Sequence, residues 1–96
     1  MKYSCRPGIV LSKICGVWLL IPTREASEHC PSILHLTLPS VFVWGMLEKG
    51  KSERDMCKAL SILMHKDEDA MQDVLHSIIQ SFLKKGALIA SDRGNA

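Results

Sequence analysis

The sequence lacks the short motifs that usually mark an enzyme active site or a metal centre. No glycines fall at the G-x-G-x-x-G or Walker spacing that cradles phosphates, and no nucleophile elbow is present. The four cysteines include no C-x-x-C pair, the spacing common in zinc sites and thiol oxidoreductases. We therefore expect no enzymatic activity, no catalytic residue, no metal and no cofactor. A metal-dependent or thiol enzyme is the weakest alternative.

A long apolar run is also missing. The stretch from Ile9 to Ile21 is interrupted by Ser12, Lys13 and Gly16, so it is too short to cross a bilayer. No small-residue cleavage site follows it, as a secretory signal would require. We therefore expect a cytoplasmic protein without a membrane partner, whose cysteines stay reduced and act as buried structural residues.

β-Branched and aromatic residues are frequent in the first third of the chain. Residues 9–14 and 17–21 are predicted to be antiparallel strands joined by a tight turn at 15–16, because glycine accepts positive φ. The polar residues 23–32 are predicted to form an exposed loop. Residues 33–36 are short and apolar, and are predicted to form a third strand at the edge of the sheet.

A helical pattern follows. Thr37 is a good N-cap, Gly50 ends a first helix, Ser52 can cap a second, and the third is predicted from Asp67 to Lys85. The sequence therefore predicts an α+β fold of the winged helix-turn-helix type, with three N-terminal antiparallel strands followed by three helices.

One small domain accounts for nearly all of the 96 residues. We assign residues 1–90 to this domain, and residues 87–90 are left open between a short strand and coil. Residues 91–96 are polar and are expected to form a disordered tail.

A winged-helix outline raises the alternative of a DNA-binding regulator. In such proteins the start of the recognition helix enters the major groove. Here that start carries Asp67, Glu68, Asp69 and Asp73, and no arginine lies between positions 54 and 93. The net charge of only +2 adds little attraction for phosphates. We therefore do not expect a nucleic-acid partner.

The predicted edge strand offers a different interaction. An unpaired strand carries free N–H and C=O groups with which a guest strand can pair. The third helix has a broad apolar arc, and together with residues 33–36 it would form a groove. The guest could be a peptide or, alternatively, the same edge of a second copy in a homodimer.

Several segments together carry a resemblance to a known family. They are Arg6-Pro7-Gly8-Ile9-Val10-Leu11, Leu36-Thr37-Leu38, Val43-Trp44, Leu47, Gly50-Lys51-Ser52, Leu75, Ile78-Ile79, Phe82 and Gly86-Ala87-Leu88. This set, which spans roughly residues 5 to 90, resembles the PqqD-like family. The family is named for the small chaperone of pyrroloquinoline quinone biosynthesis, and includes recognition elements for ribosomally synthesised, post-translationally modified peptides.

The resemblance implies an adaptor that holds the leader of a precursor peptide as an added antiparallel strand. It would present the precursor to a peptide-modifying enzyme, for example a radical S-adenosylmethionine enzyme. The family pattern assigns the strand side of the site to Ile33, Leu34, His35 and Leu36. A helical wheel assigns the helix side to Gln72, Leu75, His76, Ile79 and Leu83.

Overall fold

A computed structural model describes residues 2–24 and 26–91. Its elements in chain order are β1 (Lys2–Cys5), β2 (Ile9–Ile14), β3 (Val17–Pro22), β4 (Leu34–Leu36), α1 (Leu38–Glu48), α2 (Glu53–Met64), α3 (Glu68–Lys85) and β5 (Leu88–Ser91). The predicted α+β fold, in which three antiparallel strands precede three helices, is confirmed by β2 to α3. None of the helices in the described ranges has both the length and the hydropathy to span a bilayer.

The β2–β3 hairpin turns at Cys15 and Gly16, as predicted. Their φ values of 52° and 79° are both positive, as in the mirror-image turns that match the twist of a hairpin. Ile14 lies opposite Val17. Residues that flank such a two-residue turn exchange both backbone hydrogen bonds, and bonded and non-bonded pairs then alternate along the ladder.

β4 lies on the other side of β3, so the strand order is β2-β3-β4. The register places Leu34 opposite Leu20 and Leu36 opposite Trp18. The strand begins at Leu34, one residue later than predicted, and the preceding Ile33 is 55% exposed. Each outer strand of this sheet pairs on one side only within the described part of the chain.

A second, two-stranded sheet is built from β1, which was not predicted, and β5, which the sequence left open between strand and coil. β1 pairs antiparallel with β5, from Lys2 opposite Ser91 to Cys5 opposite Leu88. The choice between strand and coil that the sequence left open is thereby settled in favour of a strand for residues 88–90, whereas Ala87 precedes it. Ser91 belongs to this strand rather than to the polar tail, and positions 92–96 of that tail lie outside the described residues.

The prediction of an exposed loop over residues 23–32, of which position 25 lies outside the described residues, is wrong at two positions. Ala26 and Cys30 are each only 1% exposed, and the Cys30 amide donates to the Ala26 carbonyl at 2.9 Å. This helix-like turn packs against Gly86, where a Cβ would collide with the His29 carbonyl. Gly86 also has a φ of 85°, so it ends α3 as predicted.

The core lies between the sheet and the helices. α1 contributes Trp44, which is fully buried and meets Phe82 of α3 edge-to-face at a centroid distance of 5.4 Å. Ser52 caps α2 by accepting a hydrogen bond from the Asp55 amide at 3.2 Å, as its position predicted. α1 contacts both α3 and β4 and thereby holds the two sides of the candidate site in place.

Candidate functional site

A groove of about 410 Å³ runs between β4 and the C-terminal half of α3. Its lining comes from the strand, from the first turn of α1 and from one stripe of α3. The lining residues are Ile33, Leu34, His35, Leu36, Ser40, Ile78, Ser81, Phe82 and Lys85. All four residues predicted for the strand side therefore line one groove, whose other wall is formed by α3.

The free edge of β4 presents the backbone groups of His35. Because Ile14 and Val17 form a bonded pair, Trp18 and Leu20 turn their N–H and C=O groups away from β2 and towards β4. Leu36 and Leu34, which lie opposite them, use their own groups in that ladder. Alternation then turns the N–H and C=O of His35 outward, where a guest strand can reach them.

The side chains of β4 alternate between the two faces of the sheet. Leu34 and Leu36 pack against the core on the helix side. His35 is exposed and lies opposite Leu19. Both residues are on the face of the sheet that points away from the helices. A guest strand would alternate in the same way, so every second guest side chain would point into the groove.

The helix wall of the groove is a single stripe of α3. Ile78, Ser81, Phe82 and Lys85 are spaced three or four residues apart, so they lie on one face of the helix. Phe82 is only 3% exposed and forms the apolar floor, backed by Trp44. Ser81 and Lys85 are exposed and form the rim.

The electrostatics of the groove favour an anionic or neutral guest. Lys85 supplies a positive charge at the rim, and no carboxylate occurs among the described lining residues. Ser40 and Ser81 add hydroxyl groups that can donate or accept hydrogen bonds. The lining thus combines apolar side chains with hydroxyl groups and one cation, so both apolar and polar guest side chains can find a partner there.

The residues that the helical wheel selected lie elsewhere on α3. Gln72, Leu75, His76 and Ile79 line a separate cavity of about 530 Å³ between α2 and α3, and Leu83 is partly buried against the core. At 3.6 residues per turn their arc is about a third of a turn away from the groove stripe. The stripe was missed because a wheel shows which residues are apolar but not which neighbour each one faces.

The cavity between α2 and α3 is rich in carboxylates. Glu53, Glu68, Asp69 and Asp73 surround it, with Arg54 as the only described cation in the lining. The excess of negative charge would repel phosphates, in agreement with the expectation from the sequence that the start of α3 does not bind nucleic acid.

Cys57, which is buried, also lines this cavity. Its thiol donates to the Glu68 carbonyl at 3.1 Å. Burial, followed by the negative charge of Glu68, raises the pKa of this thiol and keeps it protonated. Within residues 2–24 and 26–91, no group of three or more His, Cys, Asp or Glu side chains is arranged to hold a metal ion.

No protein-family model matches the sequence, and no curated protein matches it either. Solved structures do. TbiB1 in complex with the TbiA(beta) leader peptide aligns with a TM-score of 0.75 at 16% identity, covering 92% of this chain and 96% of that one. The chain shares its fold. Lasso peptide synthetase B1, complexed with the leader peptide, aligns with a TM-score of 0.77 at 14% identity, covering 94% of this chain and all of that one (100%).

Proposed function

We propose that this protein is a leader-peptide recognition element of the PqqD-like kind. It binds the leader of a ribosomal precursor peptide as an added antiparallel strand along β4 and presents the precursor to a modifying enzyme. The observation that carries the proposal is the groove itself, where outward backbone groups at His35 lie beside a helix stripe that contains Ile78 and Phe82.

The shared fold supports this function. Both similar structures hold a leader peptide, and the likeness extends over more than nine-tenths of this chain. The DNA-binding alternative has no comparable support within the described residues. The first turns of α3 and its N-cap are rich in carboxylates, which would repel the DNA phosphates.

The groove also defines the chemistry of the guest. Side chains at alternate guest positions would contact Ile78 and Phe82, so apolar residues are expected there. The carboxylate of an acidic guest residue would pair with Lys85 at the rim. Guest side chains on the opposite face would lie beside His35 and face solvent.

The adaptor role requires a second partner. A chain that catalyses nothing acts by raising the local concentration of its bound precursor at the enzyme that modifies it. A radical S-adenosylmethionine enzyme is one candidate class for that partner, and the cytoplasm is the compartment we propose for the encounter.

The test is a titration of labelled leader peptides encoded beside this gene, read by fluorescence anisotropy. We expect saturable binding for at least one leader, and Ser81→Glu should weaken it because it adds a bulky anion to the rim. Gln72→Glu is the control for charge, since it adds the same negative charge to α3 in the cavity between α2 and α3. Absence of binding to every such leader, or equal weakening by both substitutions, would overturn the proposal.

A further inference from the structure

The three-stranded sheet has a second open edge, on β2. No segment in the described ranges pairs with the outer side of this strand, which runs for six residues from Ile9 to Ile14. By the ladder alternation described above, Leu11 and Lys13 turn their N–H and C=O groups outward along it. Natural proteins usually protect such an edge by shortness, proline, bulges or charge.

β2 has little of that protection. It contains no proline, and its single charge, on Lys13, lies over the Trp18 ring at 5.4 Å from the ring centroid. Val10 and Ile14, which alternate with Leu11 and Lys13, are 50% and 48% exposed. The strand therefore combines free backbone groups with an apolar face that the described residues leave uncovered.

The sequence of β2 is complementary to itself. When two copies run antiparallel about a two-fold axis at Ser12, Val10 of each copy lies opposite Ile14 of the other. The same register places Leu11 opposite Lys13, so the two positive charges are not directly opposed, and the two Ser12 side chains meet at the axis. Apolar cross-strand pairs and paired hydroxyls of this kind stabilise antiparallel strands.

We propose that the protein forms a symmetric homodimer through β2, centred on Ser12. The two sheets join into a continuous six-stranded sheet, with the β4 edges at its two ends. This arrangement leaves both peptide grooves open, and it does not depend on the proposed function, because β2 and β4 are opposite edges. Because the contact is confined to one six-residue strand of each copy, we expect a weak dimer that forms reversibly.

Sedimentation equilibrium from micromolar to millimolar concentration provides the first test. We expect the mass to rise from the 10.7 kDa monomer towards twice that value. Ser12→Asp should hold the protein at the monomer mass, because two carboxylates would then meet at the axis, while leader binding stays unchanged. A cooperative thermal melt at a concentration where the wild type is monomeric checks that the variant is folded. A purely monomeric wild type, or a Ser12→Asp variant that still dimerises, would overturn the proposal.

Cross-linking tests the register directly. A residue pair on the axis that is not hydrogen-bonded has a Cα separation of about 4.5 Å, which a disulfide can bridge. In a Cys15→Asn background, which removes the exposed native thiol, Ser12→Cys should give a rapid disulfide-linked dimer on mild oxidation. Val10→Cys in the same background is the control and should cross-link slowly, since it lies opposite Ile14. Equal rates for both variants would exclude this register.

Discussion

The most direct test of the peptide groove is to remove the one backbone donor that β4 offers to a guest. His35→Pro deletes the outward N–H, and the fixed φ of about −65° for proline lies within the broad β region. Proline is tolerated on edge strands where its missing N–H faces solvent, so the free protein should keep its fold. Leu34→Pro would instead break a bond to β3 and should destabilise the sheet.

The magnitude follows from the lost hydrogen bond. A backbone hydrogen bond contributes about 0.5–1.5 kcal/mol net, and leaving the guest carbonyl unpaired costs more, so we expect a loss of about 2 kcal/mol. That loss corresponds to roughly 30-fold weaker leader binding. The readout is a titration of the wild type and the variant with the same labelled leader, together with thermal melts of both.

The matched control separates the backbone from the side chain. His35→Ala keeps the N–H and removes only an exposed imidazole on the opposite face from Leu34 and Leu36, so its affinity should stay within about threefold of the wild type. If His35→Pro binds the leader as tightly as the wild type, the guest does not pair with β4. If His35→Ala loses as much affinity as His35→Pro, a side-chain contact is responsible instead.

Three further predictions concern stability and thiol chemistry. Gly86→Ala should lower the unfolding free energy by about 2–4 kcal/mol, because the positive φ and a collision with the His29 carbonyl both oppose a Cβ there. Gly50→Ala should lower it by only about 1–2 kcal/mol, because its φ is also positive but nothing lies within 4 Å of the added Cβ. Equal losses in urea titrations would contradict this. Cys15 should react with iodoacetamide far faster than the buried Cys30, as peptide mass mapping would reveal. Burial, followed by Glu48, raises the pKa of Cys5 to about 12, so the unfolded state loses its proton first and stability should fall as the pH rises from 9.0 towards 12. Cys5→Ala should flatten that fall.

The elements that the sequence predicted well are those specified by local contacts. The hairpin follows from a two-residue turn between β-branched runs, and α2 and α3 follow from their caps at Ser52 and Gly86. β1 was not predicted and β5 was left open, because Lys2–Cys5 is a strand only by virtue of its partner at the far end of the chain. A segment of four residues carries too little pattern to indicate such a pairing.

Burial in the loop and on α3 was predicted less well, for a related reason. Ala26 and Cys30 are four residues apart, which is the spacing of one helical turn, but the surrounding polar residues hide this signal. On α3, Leu75 faces α2 and Ile78 faces the sheet, and both belong to one broad apolar arc. Sequence periodicity identifies the arc, whereas the division between two neighbours depends on how the helices pack.

The β1–β5 ribbon has a consequence for how this domain can be joined to other proteins. Lys2 lies directly opposite Ser91, so the chain enters and leaves the domain at the same place. A short linker could therefore close the chain into a ring, or the whole domain could be inserted into a loop of a larger protein, without stretching any element. The same proximity makes circular permutation practicable, with new ends placed in an exposed turn such as Cys15-Gly16.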